Sequence, residues 1–276
     1  MATWQSGDVQ VNGIKLHYTR TGGAKQPLVL AHGFSDNGLC WTPVAQALET
    51  MYDVIMVNSR GHGGSDAPET GYDTAQLAAD LHGVIQALAL KQPIVMGHSM
   101  GAITTLKLAG TYPDVPHAII LEDPPARWME DSENRPNNAD WLAERRARLT
   151  DLKSKTRDEL IAQQRAASPN WSDEELGPWA DAKLQLSMNV LNREGAEEID
   201  WHAVVRRVTC PALLITADTD RSAIVSPEAA DELKKLVPQL QVVHIPRAGH
   251  NIRREQFTRY MDVVQCFLAE VGTARG

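Results

Sequence analysis

The chain has little cysteine, few aromatic residues and a shortage of positive charge, and each shortage narrows what it can be. Its three cysteines, Cys40, Cys210 and Cys266, are scattered, odd in number and without paired metal-ligand spacing. That pattern argues against a disulfide framework or a thiolate metal site, and each cysteine reads as small core filler. Lys and Arg total 27 against 35 Asp and Glu, a formal net charge of -8. An acidic chain is a poor partner for nucleic acid or an anionic membrane surface. An anionic substrate would need a local basic site, and none stands out in the sequence. No stretch approaches the roughly 18 consecutive apolar residues of a membrane span. The opening MATWQSGDVQVNGIK lacks the basic-then-apolar order of a secretory signal, so a cytoplasmic, reduced protein is expected.

What is present suits one large α/β domain: 276 residues, 43% of them hydrophobic. GIKLHYTRTG alternates at Ile14, Leu16 and Tyr18, as a half-exposed antiparallel strand does. PLVLAHG (27–33) and YDVIMVN (52–58) are continuous apolar runs that suit strands buried on both faces of a parallel sheet. TPVAQALETM between them, and TAQLAADLHGVIQALAL (74–90) after them, read as helices; the second places Leu77, Leu81, Val84, Ile85 and Leu88 on one face. PIVMGHS (93–99) and HAIILED (117–123) add two strands around a further helix. This βαβα order predicts a mostly parallel central sheet covered by helices on both sides.

The alternation breaks from Pro124 to about Arg206, where helical patterns, many charges and five of the seven tryptophans occur without a convincing strand. The expected organisation is therefore a core of 1–123 and 207–276, with residues 124–206 forming a helical cap inserted after the sixth strand. ALLITA (212–217), PEAADELKKL (227–236), LQVVHI (240–245) and a last helix complete the core.

Gly97-His98-Ser99-Met100-Gly101 fits G-x-S-x-G between a buried strand and the helical run AITTLKLAG. A sharp strand-to-helix turn lifts such a serine above the sheet, and side chains two residues away would collide across it, so glycine is needed on both sides. A serine hydroxyl needs a base, and the base needs a third group to hold it. His250, in PRAGHNIRRE after the last strand, is the candidate base. His17 and His82 sit in regular elements, and His32, His62 and His98 in glycine-rich turns; none has metal-ligand spacing such as H-E-x-x-H, so no metal is expected. LLITADTDRSAIVSPE offers Asp218 and Asp220, with Asp220 the candidate acid because its loop must clear the strand end before turning to His250. Asp123 or Glu122, ending the strand beside the nucleophile, is the rival. Backbone N–H groups of Phe34 and Met100 are the candidate oxyanion donors.

Taken together, AHGFSDN, NSRGHGGSD, GHSMGA, TADTD and AGHN, in that order, resemble the α/β-hydrolase superfamily, in its subgroup of lidded esterases, lactonases and haloperoxidase-like enzymes. Asn58, Ala102 and Ala217 depart from the common pattern without removing a catalytic group. The resemblance implies Ser–His–Asp chemistry without metal or organic cofactor. In some of these relatives the acid follows the strand that here bears Glu122 and Asp123. Dehalogenases and epoxide hydrolases of this fold use Asp at the elbow, which Ser99 argues against. Ester, thioester, lactone or amide hydrolysis remains, as does cleavage of an activated C–C bond.

The expected activity is that of a carboxylic-ester or lactone hydrolase acting through an acyl-enzyme on Ser99. The alternatives are a C–C bond hydrolase, lyase or perhydrolase, or a ligand receptor of the same fold. The expected partner is a small, neutral, fairly hydrophobic substrate, met by Trp128, Met129, Trp141 and Met188; neither nucleic acid nor membrane is expected, and the chain would be a monomer or homodimer.

Overall fold

The computed structural model describes residues 4–129, 139–192 and 199–273, with the side chains of 139–141 and 273 outside the description. Eight strands form one sheet: β1 (Gln5–Val11), β2 (Ile14–Arg20), β3 (Gln26–Ala31), β4 (Tyr52–Val57), β5 (Ile94–His98), β6 (Ala118–Glu122), β7 (Ala212–Thr216) and β8 (Leu240–His244). Their order is β1-β2-β4-β3-β5-β6-β7-β8. β2 runs antiparallel to both neighbours, and every pairing from β4 to β8 is parallel. β1 and β2 form a hairpin closed by Asn12 and Gly13, both at positive φ (50° and 80°), the backbone a two-residue primed turn requires.

The continuous apolar strands bury both faces. Val29, Ile55, Val95, Ile119 and Leu214 pack on one side, under α2 (Thr74–Ala87), α3 (Met100–Thr111) and α8 (Pro227–Leu236). Leu28, Val54, Ile94, Ile120 and Leu213 pack on the other, under α1 (Thr42–Leu48) and α10 (Phe257–Thr273). Neighbouring residues of a strand point to opposite faces, so each strand supplies both layers.

Between β6 and β7 the described residues contain helices and no strand: α4 (Ala139–Lys153), α5 (Arg157–Ala167), α6 (Asp173–Gln185) and the short α7 (Trp201–Val205). The four-residue α9 (Ile252–Glu255) follows β8. No helix among the described residues is long and apolar enough to cross a membrane.

The chain order reverses around β3, which lies between β4 and β5. At such a switch point the loops leaving the carboxyl ends of neighbouring strands diverge and leave a crevice. The loops after β3, β5, β6 and β8 carry Phe34, Ser99, Asp123 and His250.

Candidate active site

The turn from β5 into α3 is as sharp as the glycines imply. Ser99 has φ 52° and ψ -115°, a strained conformation held by its N–H donating to Glu122 O (2.9 Å) and its carbonyl accepting from Ile103 N–H (3.0 Å). A Cβ on Gly97 would meet the Gly101 carbonyl at 2.3 Å, and one on Gly101 would meet the Ala31 oxygen at 2.1 Å. The backbone at Ser99 is tight because strand, turn and helix touch there.

His250 comes from the loop after β8. Its Nδ1 lies 2.6 Å from Asp123 Oδ2. The Asp123 carboxylate, fully buried, also accepts from Ile224 N–H (2.9 Å) and Val225 N–H (2.9 Å). With Nδ1–H directed at Asp123, the Nε2 lone pair of His250 is the one left to take a proton.

Asp220, the acid favoured from the sequence, does not take this position. It lies exposed in a short 3-10 turn, Thr219–Arg221, while the segment just beyond it folds back so that Ile224 and Val225 cap Asp123. Asp218 instead braces the β7–β8 end through His244 Nε2 (2.9 Å) and Arg247 N–H (2.7 Å). Glu122 is occupied by Arg253, accepting its backbone N–H and a guanidinium N–H, both at 3.1 Å.

The His98 ring lies against His250, tilted by 41° with ring centroids 4.7 Å apart, and its Nε2–H donates to the His250 carbonyl (2.9 Å). Its buried Nδ1 has no hydrogen-bond partner among the described residues. Burial, reinforced by the Arg253 cation, holds His98 well below the ordinary histidine range, so the ring is neutral.

Ser99 and His250 line a cavity of about 520 Å³, together with Gly33 and Phe34 after β3 and with α4, α5 and α6 above. Arg145, Arg148, Leu149 and Leu152 follow i, i+3, i+4, i+7 spacing, so one face of α4 looks onto the cavity. Arg145 Cζ sits 4.7 Å from the centroid of the Phe34 ring.

Adjoining this wall is a buried cluster of six charges, Asp36, Glu122, Glu175, Lys183, Arg253 and Arg254, of which Asp36, Lys183 and Arg254 reach the cavity lining. Burial alone would raise Asp36, but Arg254, Lys183 and Arg253 outweigh it and hold its carboxyl well below the usual range. At Glu122 burial prevails over Arg253 and the shift is upward. Arg254 lies over Trp171 and Lys183 over Trp179, and all four side chains also line the cavity.

The residues expected from the sequence to meet the substrate fall elsewhere. Trp128 is buried in the core, its indole N–H donating to Ala229 O (2.8 Å), because the chain leaving β6 turns down onto α8. Met129 is exposed. Met188 joins an apolar cluster beside Phe34, outside the cavity lining. The Trp141 side chain lies outside the described residues. Trp171, Trp179, Arg145 and Arg148 hold the places assigned to them.

Three comparisons agree with this architecture. N-formylmaleamate deformylase of Pseudomonas putida is 30% identical over 250 residues, which cover 89% of this chain and 90% of that protein. 2-(Acetamidomethylene)succinate hydrolase of Mesorhizobium japonicum is 29% identical over 259 residues, 88% of each chain. The crystal structure of an N-formylmaleamic acid deformylase from Pseudomonas putida superposes with a TM-score of 0.78 at 26% identity, covering 94% of this chain and all of that one. The family model described as the alpha/beta hydrolase fold matches residues 26–253, and the chain belongs to that family.

Proposed function

We propose that the chain is a serine hydrolase that cleaves an acyl–nitrogen bond in a small substrate bearing a carboxylate. The observation that carries this reading is Arg145 and Arg148 on the wall of the cavity that also holds Ser99 and His250. Guanidinium groups suit a carboxylate because their paired N–H donors match its two oxygens. The names of the two relatives agree with this: each combines an N-acyl group with a carboxylate.

In this mechanism His250 Nε2 takes the proton of Ser99 Oγ as the oxygen attacks the acyl carbon. The N–H groups of Phe34 and Met100 receive the oxyanion, and loss of one such donor typically costs about 2.7–4 kcal/mol. Neither N–H has an acceptor among the described residues. His250 then gives its proton to the leaving nitrogen, the C–N bond breaks, and the acyl group stays on Ser99. A water, deprotonated by the same Nε2, releases the acid. Asp123 holds the ring and stabilises its cation throughout.

The second reading is ester or lactone hydrolysis, which runs through the same acyl-enzyme. Leu149, Leu152, Trp171 and Trp179 favour it by giving the cavity an apolar wall. The deciding test compares kcat/KM for N-formylmaleamic acid, its methyl ester and 4-nitrophenyl acetate, with Ser99→Ala as control. Preference for the free acid, with formate released, supports the first reading. Preference for neutral esters replaces it with the second, and unchanged turnover in Ser99→Ala removes both.

A further inference from the structure

The loop that offers the Phe34 N–H is a tight turn, closed by Asp36 N–H on Gly33 O at 3.0 Å. Its two outward carbonyls are each gripped. His62 Nε2 lies 2.5 Å from Phe34 O, and Lys183 Nζ donates to Ser35 O at 2.7 Å. Lys183 also donates to Asp36 Oδ1 at 2.9 Å. His62 belongs to the core, whereas Lys183 comes from α6, in the helices inserted between β6 and β7.

Lys183 is buried, and a buried ammonium is more costly than an apolar side chain of similar length. Its ammonium balances Asp36, because the neighbouring Arg253 and Arg254 also serve Glu122 and Glu175. It is not needed to dock α6, because Glu175 on the same helix pairs with Arg254 Nε at 3.0 Å. What Lys183 alone supplies is the bond from α6 to the Ser35 carbonyl, next to the peptide that carries the oxyanion donor.

We propose that Lys183 is a positioning residue through which the inserted helices hold the Phe34 N–H where the oxyanion develops. The inference rests on Ser99 as nucleophile and is independent of the substrate's charge. A displacement of this N–H by an ångström is enough to lower turnover while ground-state binding persists, since the oxyanion exists only beyond the ground state.

The experiment uses Lys183→Met and Lys183→Arg in the full chain, with 4-nitrophenyl acetate as the probe, and hydrogen exchange of the peptide covering residues 32–38. Lys183→Met is expected to lower kcat about ten- to hundredfold with KM little changed. Exchange in the 32–38 peptide should quicken while β3 stays protected, and Lys183→Arg should recover most of kcat. Wild-type exchange in that loop, or a raised KM with kcat retained, overturns the inference. The exchange reading needs no turnover: a loosened loop in a protein whose wild type cleaves neither the ester nor N-formylmaleamic acid sinks the nucleophile reading and leaves the grip of Lys183 standing. Should Lys183→Met fail to fold, Lys183→Gln, whose shorter head stops short of Ser35 O, is held to the same two readings.

Discussion

Asp123 and His250 stand 127 positions apart in the chain and 2.6 Å apart in space. The contact is fixed mainly from the Asp123 side. Asp123 has φ 43°, in the left-handed region, and two backbone N–H groups hold its carboxylate before the imidazole is counted.

That arrangement makes the acid testable by an isosteric change. Asparagine at 123 keeps an oxygen for the backbone donors but presents an amide to His250, which favours the wrong tautomer. Asp123→Asn should lower kcat by about 10³–10⁴-fold. Asp220→Asn, altering an exposed turn, should leave kcat near wild type. Steady-state kinetics beside a thermal melt of each variant checks this, and loss in Asp220→Asn with activity kept in Asp123→Asn reverses the assignment.

The difference between Ser99 and the acid proposed for it, Asp123, shows what the sequence could carry. G-x-S-x-G between a buried strand and a helix specifies a local geometry, so Ser99 and its glycines were legible. A carboxylate at the end of a strand specifies nothing locally, and both β6 and β7 end in one. Which of them faces His250 depends on how the 218–225 segment folds back, a tertiary fact. Arg145 and Arg148 were not singled out for a similar reason: in ADWLAERRARLTDLK they stand among other charges of a helical pattern, and a net charge of -8 says nothing about one wall of one cavity. β1 and its hairpin with β2 were not read from the sequence, because the apolar alternation of Gln5–Val11 is sparse; Asn12-Gly13 is the signal that could have found them.

The elbow predicts its own intolerance. A methyl group on Gly101 would sit 2.1 Å from the Ala31 oxygen and 2.4 Å from its carbon, both backbone atoms of a central strand. No side chain can turn aside to make room, so Gly101→Ala should cost more than about 3 kcal/mol, at the upper end of single substitutions. Urea unfolding measures it, and a midpoint near wild type would mean that strand and helix separate more easily than their contacts imply.

Stability should fall on mild acidification. Burial, with the nearby His62, brings His32 down from 6.5 to about 3, and burial with Arg253 holds His98 well below 6.5. The His32 Nε2 accepts from Ser59 N–H (3.0 Å), a bond that a charged ring cannot keep. Below about pH 6.5 the unfolded chain protonates both rings and the native chain neither, so the unfolded state binds more protons. Each such proton removes about 1.4 kcal/mol per pH unit. Glu122, raised by burial, works in the opposite sense and offsets at most one of them. Unfolding free energy measured from pH 7.5 to 5.5 should therefore decline by at least about 1 kcal/mol per unit at the acid end; a flat profile would require these rings to charge in the folded protein.

The cation face of α4 makes the sharpest claim about specificity. Arg145 stacks on Phe34, which places its guanidinium beside the oxyanion loop, whereas Arg148 lies one turn along the helix and is more exposed. A charge-assisted hydrogen bond is worth about 1.5–3 kcal/mol, so Arg145→Gln should raise KM for a carboxylate-bearing amide about ten- to hundredfold. Arg148→Gln should have a smaller effect that shrinks further as salt screens the exposed charge. Neither substitution should alter kcat/KM for 4-nitrophenyl acetate, which carries no carboxylate to lose. Equal losses on both substrates would mean that Arg145 serves the fold through Phe34, and the carboxylate would then need another partner.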